Sequence, residues 1–107
     1  MTLEEFKATL QSTPPAVPPL LLALWYDARG DWEKAHSLAQ DVDDRSGAWV
    51  HAYLHRKEGD LGNAGYWYRR ANQPMATDSL DAEWTRIASA LLWREGFSDR
   101  ISVARRL

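Results

Sequence analysis

The chain contains no cysteine, and this absence removes several classes of chemistry at once. Disulfide bonds, thiolate zinc sites and a thiol nucleophile are all excluded. A large excess of one charge sign is also missing, because 13 basic side chains nearly balance 15 acidic ones and leave a formal net charge of -2. A near-neutral protein has no long-range field to attract nucleic acid or an anionic membrane. We therefore expect neither a nucleic-acid partner nor a membrane partner.

Long hydrophobic runs are missing as well. The longest apolar stretch, residues 18–26, is too short to span a bilayer. Residues 1–10 mix charged and apolar side chains, which is unlike a secretory signal. We therefore expect a cytoplasmic protein. Its 107 residues, 45% of them hydrophobic, are enough for one domain with its own core.

Breaks in helical periodicity divide the chain into segments. Thr2 and Glu5 have the spacing of a capping box, which predicts a helix start. Four of the five prolines lie at residues 14–19, where they prevent a helix from continuing. Asp31 and Ser46 are the expected caps of two later helices. The predicted domain covers residues 1–107, with an N-terminal helix at 2–12, hairpins at 18–43 and 46–74, and capping helices at 78–107.

Two stretches repeat each other at an offset of 29 residues. Gly30-Asp31 returns as Gly59-Asp60, so the same helix stop and helix cap occur twice. A period of this size is typical of stacked helical hairpins, which usually hold another molecule. Five positions stay apolar after the offset: Trp32, Ala35, Leu38, Ala39 and Val42 return as Leu61, Ala64, Trp67, Tyr68 and Ala71.

The repeated segments resemble the tetratricopeptide repeat. Leu22-Ala23-x2-Tyr26 matches the core of its first helix, and Ala64-x3-Tyr68 followed by Pro74 matches its second helix. The resemblance implies an all-α fold, a short right-handed array of antiparallel helix pairs with six to seven helices. The period departs from the family value of about 34 residues. Residues 49–70 also resemble a run in small uncharacterised bacterial proteins, and that likeness implies no activity.

An aromatic and charged stripe on the fourth predicted helix is the first candidate site. Trp49, Tyr53 and Arg56 are spaced to share one helical face. By the resemblance, this face and its counterpart one repeat earlier line a groove that binds a protein or peptide without catalysis and without a cofactor. There are two alternatives. The sixth predicted helix, which begins at about residue 78, or the N-terminal helix covers the stripe, or the stripe joins two copies in a homodimer. The predicted groove residues are Leu20, Leu24, Asp27, Trp49, Tyr53 and Arg56.

His51 and His55 form the second candidate site, with Glu58 one turn further on. One interpretation is structural, because buried histidines must find hydrogen-bond partners. Another is a metal or small-molecule site, since imidazoles four residues apart on a helix can share one ion. The third makes one histidine a general base, although no nucleophile is recognisable beside it. The structural interpretation is the main expectation, so no metal and no catalytic residue is predicted.

Gly62 and Gly65 fall inside the fifth predicted helix. Glycine within a helix costs about 1 kcal/mol relative to alanine. We therefore expect a close helix contact or a close backbone approach at these positions.

Overall fold

The computed structural model describes residues 1–94, and in this range the chain is all-helical with no strand. The first helix is followed directly by a 3-10 turn, Thr9–Gln11. The helix and the turn together match the predicted helix at 2–12. The part of the capping helices predicted at 78–107 that follows residue 94 lies outside the described residues. Six α-helices are described: α1 Leu3–Ala8, α2 Pro19–Ala28, α3 Trp32–Gln40, α4 Arg45–Lys57, α5 Leu61–Ala71 and α6 Leu80–Arg94.

The turns from α2 to α3 and from α4 to α5 have the same local geometry. Gly30 and Gly59 have φ values of 88° and 91°, a region that side chains rarely allow. Asp31 and Asp60 then accept hydrogen bonds from backbone N–H groups three residues further on, at 3.1 and 3.2 Å. The predicted helix stops and caps are confirmed at both turns.

The start of α4 differs from the prediction. Ser46 is not the cap, because the carboxylate of Asp44 accepts the hydrogen bond from the Gly47 N–H at 2.8 Å. A Cβ on Gly47 would lie 1.9 Å from the carbonyl oxygen of Val42. The loop before α4 therefore folds back against Gly47, and no larger residue fits there.

The close approach predicted at two glycines of α5 is wrong. A Cβ on Gly62 would meet nothing within 4 Å, and one on Gly65 would meet only the side chain of Arg69 at an ordinary distance. The backbone contact that excludes a side chain is instead at Gly47, against the loop before α4. Spacing alone did not distinguish a packed glycine from an exposed one.

The main core lies where α6 crosses α2 and α4, with α1 against its edge. Trp84 of α6 is central to it, because its ring stacks on Phe6 at 5.9 Å and its Nε1–H donates to the Leu24 carbonyl at 3.0 Å. A smaller core between α4 and α5 contains Ala52, Ala64 and Tyr68. Helix α4 thus contacts both cores, as its largely apolar circumference predicts. None of the helices described in residues 1–94 is long and apolar enough to cross a bilayer.

Candidate functional site

The predicted groove stripe is mostly inside the protein. Leu20, Leu24, Asp27 and Tyr53 are buried, and Trp49 and Arg56 are partly buried. The prediction of an open groove at these positions is therefore wrong, and the alternative that helix six covers the stripe is correct. The physical reason is that α6 carries both an apolar stripe and Glu83, so it can cover the aromatic side chains and also pair with Arg56.

Polar groups within the stripe are satisfied internally. The Tyr53 hydroxyl donates to Asp27 Oδ2 at 3.0 Å, and Lys57 Nζ donates to Asp27 Oδ1 at 2.8 Å. Burial raises the pKa of Tyr53, and the negative charge of Asp27 raises it further. These contacts hold α2 against α4 and leave Asp27 no unpaired oxygen to offer a partner.

The structure brings all three histidines of the chain together. His51 and His55 lie one turn apart on α4, and His36 of α3 faces them. One ring nitrogen from each lies within 4.8 Å of the others. The sequence analysis paired only His51 and His55 and left His36 out.

A spacing signal could have identified His36. It lies four residues after Trp32 and three before Ala39, so it belongs to the inward face of α3 that the repeat had already marked. The 29-residue repeat was defined by apolar residues, so a histidine on the same face did not belong to it. An imidazole is partly apolar, and it packs readily in such a position.

Hydrogen bonds fix the orientation of all three rings. The Nε2 atoms of His36 and His51 lie 2.9 Å apart, so one of them donates to the other. The Nδ1–H of His55 donates to Glu58 Oε1 at 2.6 Å. Because Nδ1 of His55 is engaged, Nε2 is the nitrogen left to accept a proton or bind an ion.

Two tryptophans enclose the histidine cluster. Trp32 stacks on His36 with 4.8 Å between ring centroids, and Trp67 stacks on His51 at 4.0 Å. The Nε1–H of Trp32 donates to the Leu54 carbonyl at 2.9 Å, which anchors that ring to α4. The indoles restrict rotation of the imidazoles and limit their contact with water.

Burial favours the uncharged form of His36 and His51. Desolvation lowers the pKa of His51 to about 4, and the nearby His36 and His55 lower it as well. Desolvation also lowers the pKa of His36, with His55 adding to the effect while Glu58 and Glu33 oppose it. A neutral imidazole has a lone pair available, which is the form that binds metal ions.

A second set of potential ligands shares His55. Its ring nitrogen and carboxylate oxygens of Glu58 and Asp60 also lie within 4.8 Å of one another. Glu58 and Asp60 are exposed, however, and Asp60 already caps α5. Glu58 is better placed to orient His55 than to bind an ion itself. The set of three histidines is therefore the stronger candidate.

Comparison with known proteins identifies no relative. No protein-family model, no curated protein and no solved structure matches the chain. The function must therefore be argued from the histidine cluster itself.

Proposed function

We propose that the protein binds one divalent transition-metal ion through His36, His51 and His55. The observation that carries the proposal is the convergence of three imidazoles, with ring nitrogens within 4.8 Å of one another. Imidazole nitrogen suits zinc, copper and nickel, whereas magnesium and calcium prefer oxygen ligands. The absence of cysteine leaves histidine as the strongest ligand for such metals in this chain.

For His36 and His51, only a small adjustment would be needed to bind one ion. Two nitrogens that bind a tetrahedral ion at about 2.0–2.1 Å are roughly 3.3 Å apart. The Nε2 atoms of His36 and His51 are 2.9 Å apart. They would separate by a few tenths of an ångström, which slight rotations of the two rings can supply. The hydrogen between them would move to Nδ1 of the ring that carries it, so that both Nε2 lone pairs face the ion.

Glu58 supports the proposed site from outside. Histidines that bind metals almost always donate their other N–H to a carboxylate, a carbonyl or water, which fixes the ring and makes the ligating nitrogen more basic. The 2.6 Å hydrogen bond from His55 to Glu58 has this form. We expect Glu58→Gln to weaken metal binding by roughly tenfold to a hundredfold without removing a ligand.

The ion would connect two parts of the chain. His36 lies on α3, and the other two histidines lie on α4 beyond the intervening loop. An ion bound only to the folded state stabilises that state. Three protein ligands also leave a fourth position for water or a small molecule, as in many catalytic zinc sites.

Titration with Co²⁺, a spectroscopic substitute for Zn²⁺, tests the proposal. We expect one Co²⁺ per chain with the visible absorption of a tetrahedral site, and an increase in melting temperature with Zn²⁺ but not with Mg²⁺. Replacing any one of the three histidines should abolish tight Co²⁺ binding, as tested with His36→Ala, His51→Ala and His55→Ala. Circular dichroism should show that each variant remains helical. Asp60→Asn is the matched control, because it alters only the second ligand set. Absence of Co²⁺ binding, or full affinity in all three histidine variants, would refute the proposal.

A tetratricopeptide-like arrangement of α2 to α5 remains a proposal of its own. It is supported by the packing of α2 on α3 and of α4 on α5, and by the matching turns at Gly30 and Gly59. The resemblance implies binding of a protein or peptide, but most of the surface predicted for this binding is buried. We therefore place it second to metal binding.

A further inference from the structure

A cavity of about 280 Å³ adjoins the histidine cluster. It lies between the end of α3, the start of α4 and one face of α5. His51 and Trp67 form its inner wall, and Arg45 and Arg70 line it as well. The volume corresponds to about nine water molecules at roughly 30 Å³ each, which is room for a small organic molecule.

One nitrogen of His51 lacks a protein partner. His51 is only 6% exposed, and its Nε2 is paired with His36. Its Nδ1 makes no hydrogen bond within residues 1–94, where every fully enclosed side-chain nitrogen or oxygen is paired. Nδ1 must therefore retain access to solvent, and the cavity is a space that His51 lines.

This unpaired nitrogen matters if the metal site exists, so the inference rests on the proposed function. An ion on Nε2 of His51 leaves the ring hydrogen on Nδ1, and metal-bound histidines almost always give that hydrogen to an acceptor. His55 has Glu58 for this purpose. His51 has no such acceptor among the described residues, so the occupant of the cavity must supply the oxygen.

The charged side chains that line the cavity indicate which chemical group supplies this oxygen. The Arg45 side chain makes no hydrogen bond or ion pair with any other residue in the described range. Arg70 is half-exposed, and its ion pair with Asp43 is long, at 3.9 Å, with the Asp43 side chain 97% exposed. The other acidic group in the lining, Asp44, is already engaged as the cap of α4. Arg70 also donates to the Tyr66 hydroxyl at 3.0 Å, but this acceptor is neutral. Within the described residues neither arginine makes a hydrogen bond to a carboxylate, so both positive charges can attract an anion.

We infer that the cavity binds a small organic oxyanion, a carboxylate or a phosphate monoester. One of its oxygens accepts the Nδ1–H of His51, and Arg45 and Arg70 balance its charge. Such an acceptor makes the ligating nitrogen more basic. The oxyanion and the metal therefore bind cooperatively, each increasing the affinity for the other by the same factor.

The test measures Co²⁺ affinity without and with saturating succinate, methyl phosphate or neutral succinamide, corrected for the Co²⁺ that the free anion binds. We expect at least one anion to raise Co²⁺ affinity by tenfold to a hundredfold, and succinamide to have no effect. The two anions distinguish a carboxylate site from a phosphate site. Arg45→Gln and Arg70→Gln should lose the increase and keep the anion-free affinity.

Arg69→Gln serves as the matched control, because Arg69 is an exposed arginine of α5 that does not line this cavity. Co²⁺ binding that no anion changes, or that succinamide changes equally, would overturn the oxyanion site and leave the metal proposal intact. Failure of Co²⁺ to bind without any anion would instead overturn the metal proposal. The anion-free titration thus separates the two failures.

Discussion

Arg56 forms an ion pair with Glu83 across the boundary between α4 and α6, with 2.7 Å between Nη1 and Oε1. The Glu83 side chain is completely buried, and its other oxygen accepts the Tyr68 hydroxyl of α5 at 2.6 Å. Arg56 also donates to the Asp78 carbonyl in the segment before α6. One carboxylate therefore joins three helices, and the arginine expected at a binding surface is part of this internal network.

Arg56→Ala should destabilise the protein by about 3–5 kcal/mol, because Glu83 would remain buried without its cation. The double variant Arg56→Met/Glu83→Gln should recover much of this loss, since it removes both charges. Urea denaturation measures the free energy of unfolding in each case. Arg69→Ala, at an exposed arginine, should stay within about 0.5 kcal/mol of the parent protein. A cost below about 1 kcal/mol for Arg56→Ala would mean that water already screens the pair.

Gly47→Ala should destabilise the protein by more than about 2 kcal/mol, since its Cβ would overlap the Val42 carbonyl at 1.9 Å and backbone cannot easily move aside. Gly65→Ala is the paired comparison. There the added Cβ meets only a flexible side chain at 3.6 Å, so alanine should stabilise α5 by up to about 1 kcal/mol. Thermal denaturation of the two variants checks the opposite signs. Equal effects would contradict the packing at Gly47.

Acid should destabilise the metal-free protein through His51. The pKa of this imidazole is lowered by burial from 6.5 to about 4, so between these values the unfolded chain binds more protons than the folded one. Stability should fall as pH drops through this interval, by at most about 1.4 kcal/mol per pH unit from this group. Denaturation at several pH values in the presence of a chelator measures the slope. His51→Gln should reduce this dependence of stability on pH. An unchanged slope would show that the native protein does not bury His51 in its uncharged form.

Alkali should destabilise the protein through Tyr53 and Tyr68. Burial raises the pKa of both phenols, with Asp27 adding to the effect at Tyr53 and the hydrogen bond to Glu83 adding to it at Tyr68. The folded state therefore holds these protons after the unfolded chain has released its own near pH 10, so stability falls as pH rises above about 10. Part of the tyrosinate absorbance should appear only as helical circular dichroism is lost. In denaturant all four tyrosines should titrate together, and the same result without denaturant would contradict this burial.

Interactions close in sequence were predictable. The capping box of Thr2 and Glu5 and the stops at Gly30 and Gly59 each depend on residues within about four positions, so a short pattern contains the required chemistry. Ser46 was the exception. A neighbouring aspartate offered an equivalent oxygen two residues earlier, and the fold of the preceding loop selected it.

The candidate site was only half predictable. His51 and His55 were identified because they interrupt an otherwise apolar pattern on one helix. His36 is 15 positions away from His51 on another helix. Its spacing places it on the inward face of α3, but local spacing does not say which residues of α4 that face will meet. The cavity beside His51 is likewise made by three separate elements, so no single segment predicts it.

By itself, the sequence determined the helices, their turns and the central place of α4, because caps, glycines and apolar periodicity act within a few residues. Only the tertiary structure decided which faces became interior. Positions such as Leu24 and Tyr53 have the same spacing whether they line a groove or lie beneath another helix. The packing of α6, which buries Glu83 against α4 and α5, settled that choice. The meeting of the three histidines was decided in the same way, by packing between helices rather than within one.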